Sequence, residues 1–187
     1  SPSAFAGNTV LIDIDDLVDK KWLMPAEARI ADVSAGSFVD FERVENFKTK
    51  AFQKAYRRFQ QDDAVQPAFA AFCKKESYWL EDYALFQAGK RENRGKPWTA
   101  WSAPLKKRKG AALKDLSHRY AEHIGYVKFL QFVFAKQWQR LHGYARSKGV
   151  EILGDMPIFI SHDSSDVWAH RELFDLEEDG TAKTVAG

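Results

Sequence analysis

The sequence has few of the features that mark several large protein classes. It has one cysteine, Cys73, which excludes an internal disulfide framework and cannot form a zinc site unaided. Lysine and arginine number 28 against 26 aspartate and glutamate, so the formal net charge is only +2. That balance argues against a strongly basic nucleic-acid binder and against an acidic, disordered chain. No apolar run reaches the ~18–20 residues that a membrane span needs, and we expect a soluble, cytoplasmic protein with no membrane partner.

Motifs of several enzyme classes are also missing. There is no glycine-rich phosphate loop of the G-x-x-x-x-G-K-S/T or G-x-G-x-x-G type, and no G-x-S-x-G nucleophile elbow. No histidine pair has the H-E-x-x-H spacing of zinc proteases, and we expect neither a metal nor a cofactor. The basic run at 106–109 follows two tryptophans, a combination found in nucleic-acid binders. The balanced charge favours a solvated loop instead, and no nucleic-acid partner.

Apolar residues at helical spacing are abundant. They recur at three- and four-residue steps from Phe41 to Phe59, which predicts an amphipathic helix with Asp40 as its N-cap. Shorter helices are predicted around 11–18, 67–75 and 77–86, and the glycine- and proline-containing stretch 89–110 is predicted to be a loop.

The strongest periodicity runs from Leu113 to Ala145 and predicts one long helix with a kink at Gly125. Gly149 ends this helix, and the apolar Val150, Ile152 and Leu153 then predict a short buried strand over Val150–Asp155. A helix followed by such a strand is the second half of a βαβ unit, and a buried parallel strand needs neighbours for its hydrogen bonds. We therefore expect a section of a larger α/β enzyme, with a mostly helical insertion ahead of one helix–strand repeat.

Three places carry candidate chemistry. Asp155 ends the predicted strand, where it either faces a ligand crevice or caps the next segment. The stretch 161–168 gathers one histidine, two aspartates and three serines, which suits an acid/base or metal cluster, but Asp163 and Ser164 are also good N-caps for a short helix, and we favour that second interpretation. Tyr83 follows Glu81 and Asp82, a grouping used by sugar-binding surfaces, although helical spacing favours core packing.

An ordered set of motifs runs along the chain. Six of them are Ser3–Asn8, Val39–Phe41, Tyr78–Phe86, Pro97–Trp98, Phe129–Phe132 and Gly154–Phe159, and the tail continues the series at Asp163–Ser164, Asp166–His170, Leu173–Phe174 and Val185–Gly187. In this order the motifs resemble those of the amylomaltases, which are bacterial 4-α-glucanotransferases. The resemblance covers essentially the whole chain.

The resemblance implies a partial (β/α)₈ TIM barrel with a mostly α-helical insertion subdomain. Residues 1–110 would form the helical insertion in a barrel loop, and 111–187 the barrel helix, its strand and the following loop. The implied reaction transfers α-1,4-glucan segments between maltooligosaccharides by a retaining double displacement. Its catalytic carboxylates lie on later strands of the family, beyond residue 187, so we expect no catalytic residue in this chain and no activity of the chain alone.

The same resemblance gives the expected substrate contacts. Asp155 matches the aspartate of the family's third strand, which lines the donor subsite, and Tyr83 matches a tyrosine associated with glucan binding outside the cleft. Asp163, in the matching Asp-Ser pair, is the third residue for which we expect a substrate contact. The family has a Ser-Pro-Tyr segment shortly before the match at Ser3, and its tyrosine faces substrate. That tyrosine is absent here, where Ser1-Pro2 leads straight to Ser3, so we expect either that the piece begins just after the segment or that a few residues are deleted. The alternative hypothesis is a non-catalytic helical module that only binds glucan.

Overall fold

The computed structural model describes residues 1–29, 39–154 and 158–183, and these are mostly helical. Among them, no helix is long and apolar enough to cross a membrane. The α-helices are α1 (Ile14–Asp19), α2 (Phe41–Phe59), α3 (Gln66–Lys75), α4 (Ser77–Glu92), α5 (Ala103–Lys106), α6 (Gly110–Arg119), α7 (Ala121–Ser147) and α8 (Ser165–Ala169). Single 3₁₀ turns occur at Thr9–Leu11, Pro25–Glu27, Trp98–Ala100 and Arg171–Leu173.

Short polar side chains cap the N-termini of three of the helices. The Asp13 side chain accepts a hydrogen bond from the backbone N–H of Asp15 at the start of α1. Asp40 caps α2 in the same way, as its sequence position predicted. Ser164 caps α8 through the N–H of Val167, which confirms the capping interpretation for this serine.

The long helix predicted from Leu113 is interrupted at Tyr120, ahead of the predicted kink at Gly125. Tyr120 ends α6 with φ −113° and ψ 22°, and α7 begins at the next residue and continues through Gly125. The break keeps its backbone hydrogen bonds, because the N–H of Tyr120 donates to Leu116 and its carbonyl accepts from Ile124. Periodicity continues across Tyr120 because both helices bury side chains, and so the sequence pattern shows no interruption.

Two further expectations need correction. Gly149 does end α7, with φ +72°, but residues 150–154 form no strand, and the Leu153 side chain is 90% exposed. A parallel strand requires neighbouring strands, and within the described residues the only β pairing is an isolated antiparallel bridge between Leu176 and Ala182. The predicted loop at 89–110 is partly helical, since α4 continues to Glu92 and α5 lies within it.

The chain divides into two compact units. The tryptophan unit comprises Ser1–Ala6, Cys73–Lys128 and Ile152–Gly187. Its buried core is formed by aromatic and aliphatic side chains from α4, α5, α6, α8 and the turn between α4 and α5. The members of this core cluster are Phe86, Ala88, Trp98, Trp101, Leu105, Leu116, Val167 and Trp168.

The phenylalanine unit comprises Gly7–Phe72 and Phe129–Glu151. Phe59 is its centre, with ring centroids 4.7 Å from Phe129, 5.1 Å from Phe69 and 5.1 Å from Trp22. The buried amide of Gln131 accepts from the N–H of Gly7 at 2.8 Å and donates to its carbonyl at 3.1 Å. This reciprocal pair fixes the segment before α1 onto α7.

Polar contacts reinforce the phenylalanine unit. Asp16 is 5% exposed, and its carboxylate lies 2.7 Å from Lys20 Nζ and 2.7 Å from the Arg140 guanidinium. Burial raises the pKa of Asp16, but hydrogen bonds from Lys20, Gln137 and Arg140 outweigh it, and the pKa lies below its ordinary value. The buried carboxylate is therefore held in its charged form.

Candidate substrate-binding site

The structure describes two of the three residues for which a substrate contact is predicted. Asp155 lies outside the described residues. Tyr83 and Asp163 are both described, and both belong to the tryptophan unit. The described residue that follows Asp155 most closely is Ile158, and its side chain is 89% exposed.

Tyr83 lies on the inner side of α4, as the core-packing interpretation predicts. Its side chain is 8% exposed and packs with Ala84 and Val127. Burial raises the pKa of the Tyr83 phenol, partly opposed by a hydrogen bond with Gln87. Its ring is therefore not an open stacking surface in this structure.

The exposed aromatic rings beside Tyr83 are those of Phe5 and Tyr78. Phe5 is 55% exposed and Tyr78 64% exposed, with ring centroids 5.6 Å apart and nearly perpendicular planes. The Phe5 ring also stacks on the half-buried Trp79, at 6.3 Å and 21°. Trp79 in turn donates its indole N–H to Glu76 at 2.9 Å. Flat apolar rings with a carboxylate nearby have the chemistry of a sugar-binding surface.

Hydrogen bonds to α8 hold the segment that carries Phe5. The N–H of Ser165 donates to the carbonyl of Pro2 at 2.9 Å, and the N–H of Ala4 donates to the Asp166 carboxylate at 3.1 Å. The buried Ser3 hydroxyl then accepts from the N–H of Phe5 at 3.1 Å. Phe5 is thus placed by contacts with residues more than 150 positions along the chain.

Asp163 is engaged by the protein through both carboxylate oxygens. Oδ2 lies 2.6 Å from Lys90 Nζ, and Oδ1 accepts the backbone N–H of Trp98 at 3.2 Å. Lys90 Nζ also donates to the carbonyls of Gly95 and Lys96 at 2.8 and 3.2 Å, so its three N–H donors are all used. Asp163 and Lys90 therefore join the stretch before α8 to the end of α4.

His162 has a structural partner on each side. Its carbonyl accepts the indole N–H of the fully buried Trp98 at 2.8 Å, and its Nε2 lies 2.8 Å from the Gly180 carbonyl oxygen. A carbonyl can only accept, so Nε2 carries the proton in this contact. The acid/base or metal interpretation of 161–168 gains no support. Within the described ranges no group of three or more His, Cys, Asp or Glu side chains could hold a metal ion.

The basic run at 106–109 takes part in packing the tryptophan unit. The Arg108 guanidinium lies 4.4 Å from the centre of the buried Trp168 ring and pairs with Asp82. Lys106 Nζ donates to the carbonyl of Thr99 at 3.0 Å. Two of the four basic side chains in this run thus make contacts within the unit.

Sequence reasoning missed Lys90 and Trp98 as partners of the predicted site. Lys90 is 73 positions from Asp163. No periodic pattern in a single sequence indicates an ion pair between residues so far apart. Trp98 was noted as part of a Pro-Trp motif and as one of the two tryptophans before the basic run, and its central position depends on segments that meet in three dimensions.

Comparison with known proteins gives a consistent result. The family model for 4-alpha-glucanotransferase matches residues 1–185. The 4-alpha-glucanotransferase of Thermus thermophilus is 40% identical over 188 residues, covering 99% of this chain and 37% of that protein. That of Aquifex aeolicus is 37% identical, covering 100% of this chain and 37% of its own length.

A solved structure agrees with these sequence matches. The amylomaltase from Streptococcus agalactiae in complex with acarbose superposes with a TM-score of 0.89 at 33% identity, over 96% of this chain and 37% of that one. The chain thus spans a little over a third of the length of these relatives. With a family model matching nearly every residue and a close structural neighbour, the chain belongs to the 4-alpha-glucanotransferase family.

Proposed function

We propose that this chain is part of a longer 4-α-glucanotransferase that transfers α-1,4-glucan segments between maltooligosaccharides in the cytoplasm. One observation carries the proposal: the family model matches residues 1–185 without leaving out any described element. The reaction is a retaining double displacement, in which a carboxylate attacks the anomeric carbon and expels a shortened glucan. A glucan hydroxyl, in place of water, then attacks the glycosyl-enzyme. No cofactor takes part in this chemistry.

The role of the chain in that enzyme is to bind substrate and to support the barrel. The catalytic carboxylates lie in later parts of the family's sequence, so this chain supplies none of them. Asp155 is the proposed donor-subsite contact. For Tyr83, whose ring is buried, the proposed contribution to glucan binding is tested by Tyr83→Phe, which removes only the hydroxyl.

The exposed apolar face of α7 supports the finer fold proposal of a partial (β/α)₈ barrel. Trp138, Leu141 and Tyr144 are 45%, 53% and 63% exposed on this helix. An isolated helix face of this kind normally packs against another layer. We assign that layer to barrel strands of the complete enzyme, with 111–187 contributing a barrel helix, strand and loop, and with 1–110 as the helical insertion.

Incubation of the complete enzyme with maltotriose tests the proposal. Disproportionation produces both longer and shorter maltooligosaccharides, which chromatography separates. The 187-residue chain alone is expected to produce neither. Products from the chain alone would contradict the placement of the catalytic carboxylates, and hydrolysis without longer products would contradict transfer. Glucan retention without any product from the complete enzyme would support the alternative of a non-catalytic binding module.

A further inference from the structure

Trp98 is the point at which three separate segments of the tryptophan unit meet. Its indole is fully buried, and the ring centroid lies 5.6 Å from that of His162 and 5.3 Å from the Arg171 guanidinium. Gly180 closes the third side, where a Cβ atom would lie 2.5 Å from the Trp98 ring. Only a glycine with φ +93° fits that position.

The Lys90–Asp163 ion pair fastens this cluster to α4. The two side chains are 23% and 35% exposed, so the pair is partly shielded from water. Both side chains make further hydrogen bonds to the turn after α4, since Lys90 Nζ donates to two carbonyls there and Asp163 Oδ1 accepts the N–H of Trp98. The pair therefore ties the main chain of the turn after α4 to the stretch before α8. A solvated surface ion pair makes no such backbone bonds.

The segment Ile158–His162 depends on this anchor. Ile158 and Phe159 are 89% and 74% exposed, so burial of their side chains does little to hold the segment. Among the described residues, its hydrogen bonds to the rest of the unit are made at His162 and, one residue further, at Asp163. The segment Ile158–His162 is thus held at its C-terminal end.

We propose that Asp163 is a positioning residue for glucan binding: paired with Lys90 beside Trp98, it fixes the segment Ile158–His162, which comes after the proposed substrate contact Asp155 in the sequence. This inference rests on the proposed function. Both of its carboxylate oxygens already accept hydrogen bonds from the protein, which assigns it a role behind the substrate surface. Asp163 acts on the segment and does not touch the sugar.

A positioning role has a distinct kinetic signature. Loosening the segment lowers the fraction of enzyme in the binding-competent arrangement, and the apparent dissociation constant rises by the inverse of that fraction. Saturating glucan restores the competent arrangement, so kcat is retained. A purely structural role would lower the amount of folded enzyme and hence the apparent kcat, with KM unchanged.

The test compares Asp163→Asn with wild type in the complete enzyme, using maltotriose as substrate and acarbose as inhibitor. We expect KM and the acarbose inhibition constant each to rise about tenfold, with kcat within about twofold, because a charge-assisted bond is lost. Lys90→Gln should give the same shift, and the double variant no further one, since both changes remove one pair. Lys90→Arg, which keeps the charge, should restore KM to within about threefold of wild type.

Glu27→Gln is the matched control. It removes an ion pair with Arg58 of similar exposure, 21% and 36%, in the phenylalanine unit. KM should stay at the wild-type value. Unchanged KM and inhibition constant in Asp163→Asn, or an equal rise in Glu27→Gln, would overturn the proposal.

Limited proteolysis separates this inference from the proposed function. Chymotrypsin should cleave after Phe159 about tenfold faster in Lys90→Gln than in wild type at an unchanged melting midpoint. Equal cleavage rates would overturn the anchor, even in an enzyme that is active. Conversely, a complete wild-type enzyme that makes no longer glucans would refute the proposed function, and the cleavage comparison would still decide whether the anchor exists.

Discussion

The two units are stabilised in different ways. In the tryptophan unit, three buried indoles donate hydrogen bonds to backbone carbonyls: Trp98 to His162, Trp101 to Lys96 and Trp168 to Leu105, at 2.8, 3.1 and 3.1 Å. In the phenylalanine unit, phenylalanine rings pack around Phe59, and the buried indole of Trp22 donates to the Asp62 side chain at 2.9 Å and not to a backbone carbonyl. An indole joins apolar burial to one directed bond, and so it can hold irregular backbone in a single position.

This difference follows the kind of backbone that each unit contains. The tryptophan unit contains the stretch 158–164, and among the described residues no N–H group of that stretch donates to a backbone carbonyl. The phenylalanine unit is built around α2 and the second part of α7, whose backbone groups are satisfied within each helix. Its helices pack largely through apolar rings, with polar contacts such as those of Asp16 added, whereas the irregular backbone of the tryptophan unit depends on donors and acceptors from side chains.

The largest expected effect is the loss of the central ring of the phenylalanine unit. Phe59→Ala should lower the free energy of unfolding of this unit by about 3–5 kcal/mol, because it opens a cavity among the rings of Trp22, Tyr56, Phe69, Phe129 and Phe132. Amide hydrogen exchange in peptides from α2 and residues 129–147 measures this loss of stability. Phe41→Ala, in the same helix at 66% exposure, is the control and should change exchange by under about 0.5 kcal/mol. Equal effects of the two variants would refute Phe59 as the centre.

The next effect tests the indole bonds directly. Trp98→Phe keeps an aromatic ring but leaves the carbonyl of His162 without its donor, and should cost the tryptophan unit about 2–3 kcal/mol. Phe59→Leu, which changes only shape in the other unit, should cost about 1 kcal/mol. Hydrogen exchange of peptides from each unit gives both values. If Phe59→Leu costs as much as Trp98→Phe, directed bonds do not distinguish the units.

A pair of glycines gives a smaller contrast. Gly180→Ala should cost about 2 kcal/mol, because φ is +93° and the new Cβ would lie 2.5 Å from the ring of Trp98, which is fully buried and held by its indole bond. In Gly7→Ala the Cβ would meet Phe134 at 2.0 Å, but that ring is half-buried and can rotate, so the expected cost is about 1 kcal/mol. Thermal denaturation of both variants ranks them, and the reverse order would contradict a rigid Trp98.

The same contrast explains which parts of the structure the sequence predicts. Helices α2 and α4 follow from local spacing, and Asp40 and Ser164 from the chemistry of helix ends, because each signal lies within a few residues. The pairing of Lys90 with Asp163 and the reciprocal hydrogen bonds of Gln131 with Gly7 join residues 73 and 124 positions apart. Nothing local marks these partners, since each depends on the folded arrangement.

The predicted strand at 150–155 shows that a local signal can mislead. Its apolar residues and the preceding Gly149 are sound local signals, but a parallel strand exists only through hydrogen bonds to neighbours. The identification of the site is limited in the same way. Local sequence singled out Asp155 and Tyr83 and favoured core packing for Tyr83, whereas its contact with Val127 and the bonding of Asp163 could be seen only in the structure.

The smallest expected effect is a pH dependence confined to the phenylalanine unit. A hydrogen bond from Arg58, with further bonds from the Met24 N–H and Lys54, lowers the pKa of Glu27 from 4.5 to about 2. The folded-state pKa is depressed, so the stabilisation is complete above about pH 4.5 and is lost as the pH falls toward 2. Because both partners are partly exposed, the loss should be about 1 kcal/mol. Glu27→Gln should remove this contribution to the dependence of the unfolding free energy on pH. Glu45→Gln, which changes an exposed residue of α2, should keep it. Unfolding measured between pH 5 and pH 2 gives the slopes, and identical slopes in wild type and Glu27→Gln would show that the Arg58 pair contributes nothing to the unit.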